Sequence, residues 1–142
     1  MTLARFLGID PGERRIGVAL SDTIGMIAQP HDVLDRRSVD AVAAIKDLCV
    51  EYEVGTVVVG LPRSLSGEEG PAAVKARELG AAIEAATGCD IEYCDERFTT
   101  VQAESALVEG GMRRRKRRET VDKVAAAVML QGFLDGRAAR DS

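Results

Sequence analysis

Histidine, cysteine and aromatic side chains are scarce in this chain, and each shortage excludes a class of function. The single histidine, His31, and three cysteines without CxxC spacing, Cys49, Cys89 and Cys94, leave too few soft ligands for a zinc site. An odd number of scattered thiols fits a reducing cytosol better than a disulfide framework. With no tryptophan, two tyrosines and three phenylalanines, a platform for stacking bases is not expected. No apolar run approaches the ~18 residues of a membrane span. The chain passes from Met1 into the strand-like Phe6–Ile9 with nothing of signal-peptide type. Solenoid-type repeats are missing too. Together these absences point to a cytoplasmic protein without a membrane partner.

What the chain does have is apolar material and one concentrated charge. At 46% hydrophobic over 142 residues it can build one core, so residues 1–142 are read as a single domain. The net charge of −4 hides an uneven distribution. Arg113, Arg114, Arg115, Lys116, Arg117 and Arg118 form one basic run, read as a loop over 112–119. Outside that run 13 basic residues face 23 acidic ones. An acidic chain with one cationic patch suits a polyanionic partner bound through its backbone.

Element by element, Ala4–Asp10 and Ile16–Asp22 read as antiparallel strands joined through the turn residues Asp10-Pro11-Gly12. A third strand is expected over Met26–Gln29, ending at Pro30. Ser38 is placed as the cap of a helix to about Glu53, with Val42, Ile45, Leu48 and Tyr52 on one face. Thr56–Gly60 is uniformly apolar, as a parallel strand covered on both sides should be. A helix from Pro71 to Gly88, a strand Asp90–Cys94, a helix from a Thr99/Gln102 capping box to Gly110, and a last helix Thr120–Leu134 complete the order. The expected fold is α/β: a mixed five-stranded sheet, three antiparallel strands then two parallel, flanked by helices.

Three acids stand out. Alternation puts Phe6, Gly8 and Asp10 on one face of their strand and Leu7 and Ile9 on the other. Asp95 and Glu96 end the Asp90–Cys94 strand. With Thr56–Gly60 between that strand and the first, the two ends lie about 10 Å apart at the C-terminal rim, where open α/β sheets place their sites. Asp122 stacks with Ala126, Met129 and Phe133 on an apolar stripe, where a carboxylate needs a metal, a cation or a donor. Asp22, ending the returning strand, is read as structural. Carboxylates without histidine or cysteine suit Mg²⁺ or Mn²⁺, and a pair of such ions can hydrolyse a phosphodiester. Arg118 lies four residues before Asp122, and Arg14, Arg15 and Arg97 lie near the same edge, so cations flank the acids. Taken singly, each feature has a plainer explanation: a turn aspartate, a solvated acidic pair, a first-turn acid favoured by the helix dipole, a solvated basic run.

These residues also resemble a known family. Gly8-Ile9-Asp10-Pro11-Gly12, Arg14-Arg15-Ile16-Gly17-Val18-Ala19, Val59-Gly60-Leu61-Pro62, Asp95-Glu96-Arg97-Phe98-Thr99-Thr100 and Val121-Asp122-Lys123 are similar, in order, to the YqgF or RuvX family. The resemblance covers nearly the whole chain. It implies a ribonuclease H fold and a nuclease that matures the 5′ end of pre-16S ribosomal RNA. It also implies Asp10, Glu96 and Asp122 as metal-binding catalytic acids, Asp95 as a helper, and Arg97 and Thr100 as site-shaping residues. Arg14 stands where the family has lysine. The stretch Arg63-Ser64-Leu65-Ser66-Gly67 departs from the family's loop and is assigned no role.

Two rival classes remain at this point. One is a Holliday-junction or branched-DNA resolvase, or a nucleic-acid-binding module without chemistry. The other is an actin-like sugar kinase or ATPase, whose phosphate turn the Asp10-Pro11-Gly12 hairpin resembles but whose second domain a 142-residue chain lacks. Structured RNA or branched DNA is the expected partner, with monomer and homodimer both open.

Overall fold

A computed structural model describes residues 4–62, 70–95 and 114–141, with side chains in the last segment described for 121–137. The described elements are β1 (Arg5–Pro11), β2 (Arg15–Ser21), β3 (Ala28–Asp35), α1 (Ala41–Glu51), β4 (Val54–Leu61), α2 (Pro71–Thr87), β5 (Asp90–Asp95) and α3 (Arg114–Asp141). The five strands form one sheet in the order β3-β2-β1-β4-β5. β1 pairs antiparallel with β2 and parallel with β4, and β4 pairs parallel with β5. The expected mixed sheet is therefore the observed one, with β4 between β1 and β5.

Strand alternation sorts the core into two layers. Leu7, Ile9, Val57, Val59 and Leu61 point to the side covered by α1 and α2, where Ile45 and Ile83 complete a buried cluster. Phe6, Ala19 and Val58 point to the other side, against Ala126, Met129, Leu130 and Leu134 of α3. Two strand glycines let α3 lie close. A Cβ on Gly8 would sit 2.9 Å from Leu130 Cβ, and one on Gly17 would sit 2.5 Å from the carbonyl carbon of Asp122. The helix thus rests on the sheet backbone itself. At its other end the Gln131 side chain ties α3 to the start of β3. Its Oε1 accepts from Ala28 N at 2.8 Å, and its Nε2 donates to Met26 O at 2.9 Å.

Three sequence expectations shift. β3 runs over Ala28–Asp35, straight through Pro30, instead of ending there. Pro30 is tolerated because β3 is an edge strand and the register slips beside it: Ala19 pairs Pro30 while Val18 pairs Asp32. Met26 and Ile27 belong to the preceding turn, which Asp22 closes by accepting from Met26 N at 2.8 Å, the structural role expected of it.

Asp40, not Ser38, caps α1, its Oδ1 accepting from Ala43 N at 3.3 Å. The Ser38 and Val39 amides are already turned back onto Asp35 O. The core-facing side of α1 carries the buried Ile45 and Cys49, with the expected Leu48 and Tyr52 packed beside them.

The helix expected at Thr120 begins at Arg114, so Arg114–Arg118 are helical and not a loop. Arginine and lysine are strong helix formers, and the basic run simply extends the helix. The Thr99–Gly110 helix and Arg113 lie outside the described residues.

Candidate nuclease site

Asp10 is the next-to-last residue of β1 and is half-buried. Its cross-strand partner is Gly17. Paired residues on antiparallel strands project to the same face, and Gly17 faces the backbone of α3 at Asp122 and Lys123. Asp10 and Asp122 therefore share one face of the sheet at the C-terminal rim of β1. What unites them is an absent side chain. Because position 17 carries no Cβ, the helix descends until Asp122 lies over the strand beside Asp10.

Asp122 is not an orphan carboxylate. Its Oδ2 accepts from Arg15 Nε at 2.8 Å, both side chains being about 30% exposed (29% and 31%). Arg15 stands two residues before Gly17 on β2, so alternation aims it at the same face. The sequence reading grouped Arg15 with nucleic-acid contacts; in the structure it engages Asp122, one of the partners that a carboxylate on an apolar stripe requires. An arginine one pleat from a glycine that admits a helix is the signal that could have revealed this pair.

The remaining candidates divide by position. Arg14 is exposed, and its carbonyl accepts from Arg36 N at 2.9 Å. Asp95 ends β5 opposite Leu61, which belongs to the α1/α2 layer, so strand alternation gives Asp95 the face opposite to Asp10. Arg114, Arg115, Lys116, Arg117 and Arg118 occupy the first turns of α3, and Arg118 precedes Asp122 by one turn, roughly 6 Å of helix. Glu96, Arg97, Thr100 and Arg113 lie outside the described residues.

Among the described residues no three His, Cys, Asp or Glu side chains gather as a metal cluster. The two acids that do share a face offer hard oxygen donors, which fit Mg²⁺ or Mn²⁺ and not a softer ion.

A family model described as "RuvX: Holliday junction resolvase" matches residues 4–136. The chain belongs to the RuvX family. It is 42% identical over 142 aligned positions to a protein of Pelotomaculum thermopropionicum named "Putative pre-16S rRNA nuclease", covering 97% of this chain and 92% of that one. A Symbiobacterium thermophilum protein of the same name is 44% identical over 137 positions, covering 96% and 95%. Among solved structures, Thermus thermophilus RuvC in complex with a Holliday junction substrate aligns with a TM-score of 0.53 at 18% identity, covering 95% of this chain and 96% of that one. That likeness shows the ribonuclease H-like fold. As a RuvX-family member the chain is a phosphodiester-cleaving hydrolase.

Proposed function

We propose that this RuvX-family chain is a divalent-metal-dependent cytoplasmic nuclease that matures the 5′ end of pre-16S ribosomal RNA. The observation that carries the reading is the common face of Asp10 and Asp122 at the sheet rim, one helical turn beyond a run of cations. Glu96 completes the proposed acid set, to which Asp95, at the end of β5 and facing the opposite side of the sheet, does not belong.

Asp10 and Asp122 hold the cation, and Arg15 keeps the Asp122 carboxylate oriented before substrate arrives. Mg²⁺ or Mn²⁺ would supply activation of the attacking water and stabilisation of the leaving oxygen. The basic first turns of α3, with Arg14, Arg97, Thr100 and Arg113, draw in the polyanion and set its backbone at the acids, a task that needs no base readout. The names carried by the relatives support RNA as the substrate.

The test compares wild type with Asp10→Asn on an RNA bearing the unprocessed 5′ leader of 16S rRNA and on a four-way DNA junction, with and without Mn²⁺. Metal-dependent cleavage of the RNA, abolished in the variant while RNA affinity persists, is the expected result. Preferential cleavage of the junction would favour a resolvase. Equal background cleavage by both proteins would refute the assignment of Asp10.

A further inference from the structure

A second cavity opens on the same rim but on the other side of β1. It encloses about 500 Å³ and is lined by Pro11, Gly12, Glu13, Arg36, Pro62 and Lys75, together with small residues of α2. Pro11 directly follows Asp10, and Pro62 directly follows the end of β4, so the cavity lies beside the acids with the end of β1 between them. We propose that this cavity is a subsite for one nucleotide of the bound strand, gripping the phosphodiester next to the one cleaved at Asp10.

Three observations carry the assignment. Arg36 and Lys75 reach the cavity from different elements, the segment after β3 and the first turns of α2. Among the described residues the Arg36 Nε atom is shielded from solvent with no hydrogen-bond partner, so the protein's own acceptors leave this guanidinium incompletely matched. α2 spans 17 residues and starts from Gly70, which provides no side-chain cap, so its positive end has no acceptor from its own N-cap side chain.

The charge balance chooses between anions. Among the described lining residues Arg36 and Lys75 outnumber Glu13, a small positive excess that suits a singly charged phosphodiester better than free phosphate. The volume lies in the range of small-ligand sites and admits a whole nucleotide unit. Among the described residues the lining has no aromatic side chain, so the grip falls on backbone and sugar and carries no base preference.

The proposal rests on the reading that a nucleic-acid strand crosses the rim at Asp10, and its test uses binding so that the two can fail separately. Affinity of the full chain for a fluorescent single-stranded RNA is measured without divalent metal, at several salt concentrations. Lys75 is exposed, so Lys75→Gln leaves folding untroubled. The variant is expected to bind about tenfold more weakly at low salt. Its log–log salt slope should be shallower by about 0.7. Arg36→Gln should do the same where it folds. In amide NMR, a diribonucleoside monophosphate should shift Gly12 and Ala72, and inorganic phosphate at equal concentration should not.

Wild-type affinity and slope in Lys75→Gln would overturn the subsite, as would equal shifts with free phosphate or none with the dinucleotide. None of these results depends on whether Asp10→Asn abolishes cleavage.

Discussion

Replacing Gly17 by alanine tests how the two acids are brought together. The added Cβ would stand 2.5 Å from the Asp122 carbonyl carbon and 3.2 Å from Lys123 N. The Asp122 carbonyl oxygen is nearer still, and carbon atoms rest comfortably at about 3.5 Å or more, so α3 must lift at Asp122 by more than about 1 Å. The obstructing atoms are backbone, so no side-chain rotation relieves the clash. Overpacking of this kind costs about 1–3 kcal/mol. Alanine recovers roughly 0.5–1 kcal/mol of that through the lower flexibility of the unfolded chain. A net loss of about 1 kcal/mol corresponds to a fall in Tm of roughly 2–5 °C at this chain length.

Gly132, on the same helix, is the control: a Cβ there meets nothing within 4 Å. Gly132→Ala should stabilise by up to about 1 kcal/mol through helix propensity alone. Thermal and urea denaturation followed by circular dichroism measure both variants, and cleavage of the leader RNA is assayed below the transition. Gly17→Ala should be less stable and also impaired in cleavage at temperatures where it is fully folded. A Gly17→Ala protein as stable as Gly132→Ala would refute the close-seat argument.

Two other outcomes can be checked. Burial, reinforced by the neighbouring Cys89 thiol, pushes the Cys49 thiol up to about 12 from the ordinary 9.0. The folded chain therefore holds this proton more tightly than the unfolded one, and the resulting stability is complete below pH 9 and is lost as pH rises from 9 towards 12. Urea midpoints measured between about pH 8 and 10.5 should decline more steeply for wild type than for Cys49→Ala, and parallel declines would contradict this. Neutralising Arg114, Arg115 and Arg117 together should flatten the salt dependence of RNA binding by about 0.7 for each phosphate that these side chains neutralise in the wild type. An unchanged slope would remove the first turns of α3 from the nucleic-acid interface.

The sheet was legible in the sequence because its signals are local. Uniform apolarity at Thr56–Gly60 marks a covered strand, and the Leu7/Ile9 alternation against Phe6/Gly8 sorts the two layers correctly. The bounds of β3 were not legible. Proline argues against a strand unless the strand is known to be an edge with a register slip, and that is a property of the assembled sheet. The cap of α1 was missed for a similar reason, since Ser38 is committed to a turn on Asp35 that only the folded chain displays.

At the site, the acids were visible as residues, whereas the Arg15–Asp122 pair depends on an encounter across 107 positions of chain. The cavity behind Pro11 drew no attention, because Arg36 and Lys75 are ordinary surface-type cations until the fold sets them around one space.

The seating of α3 has a consequence for when the protein becomes competent. Arg15 and Asp122 meet only after α3 has docked on strands made well before it. A chain whose α3 has not yet docked holds Asp10 on a central strand, with that face of the sheet uncovered and no Asp122 above it. If Asp10 and Asp122 act together as proposed, cutting capacity arises only once α3 is seated, well after the strands that carry Asp10 and Arg15 have been made.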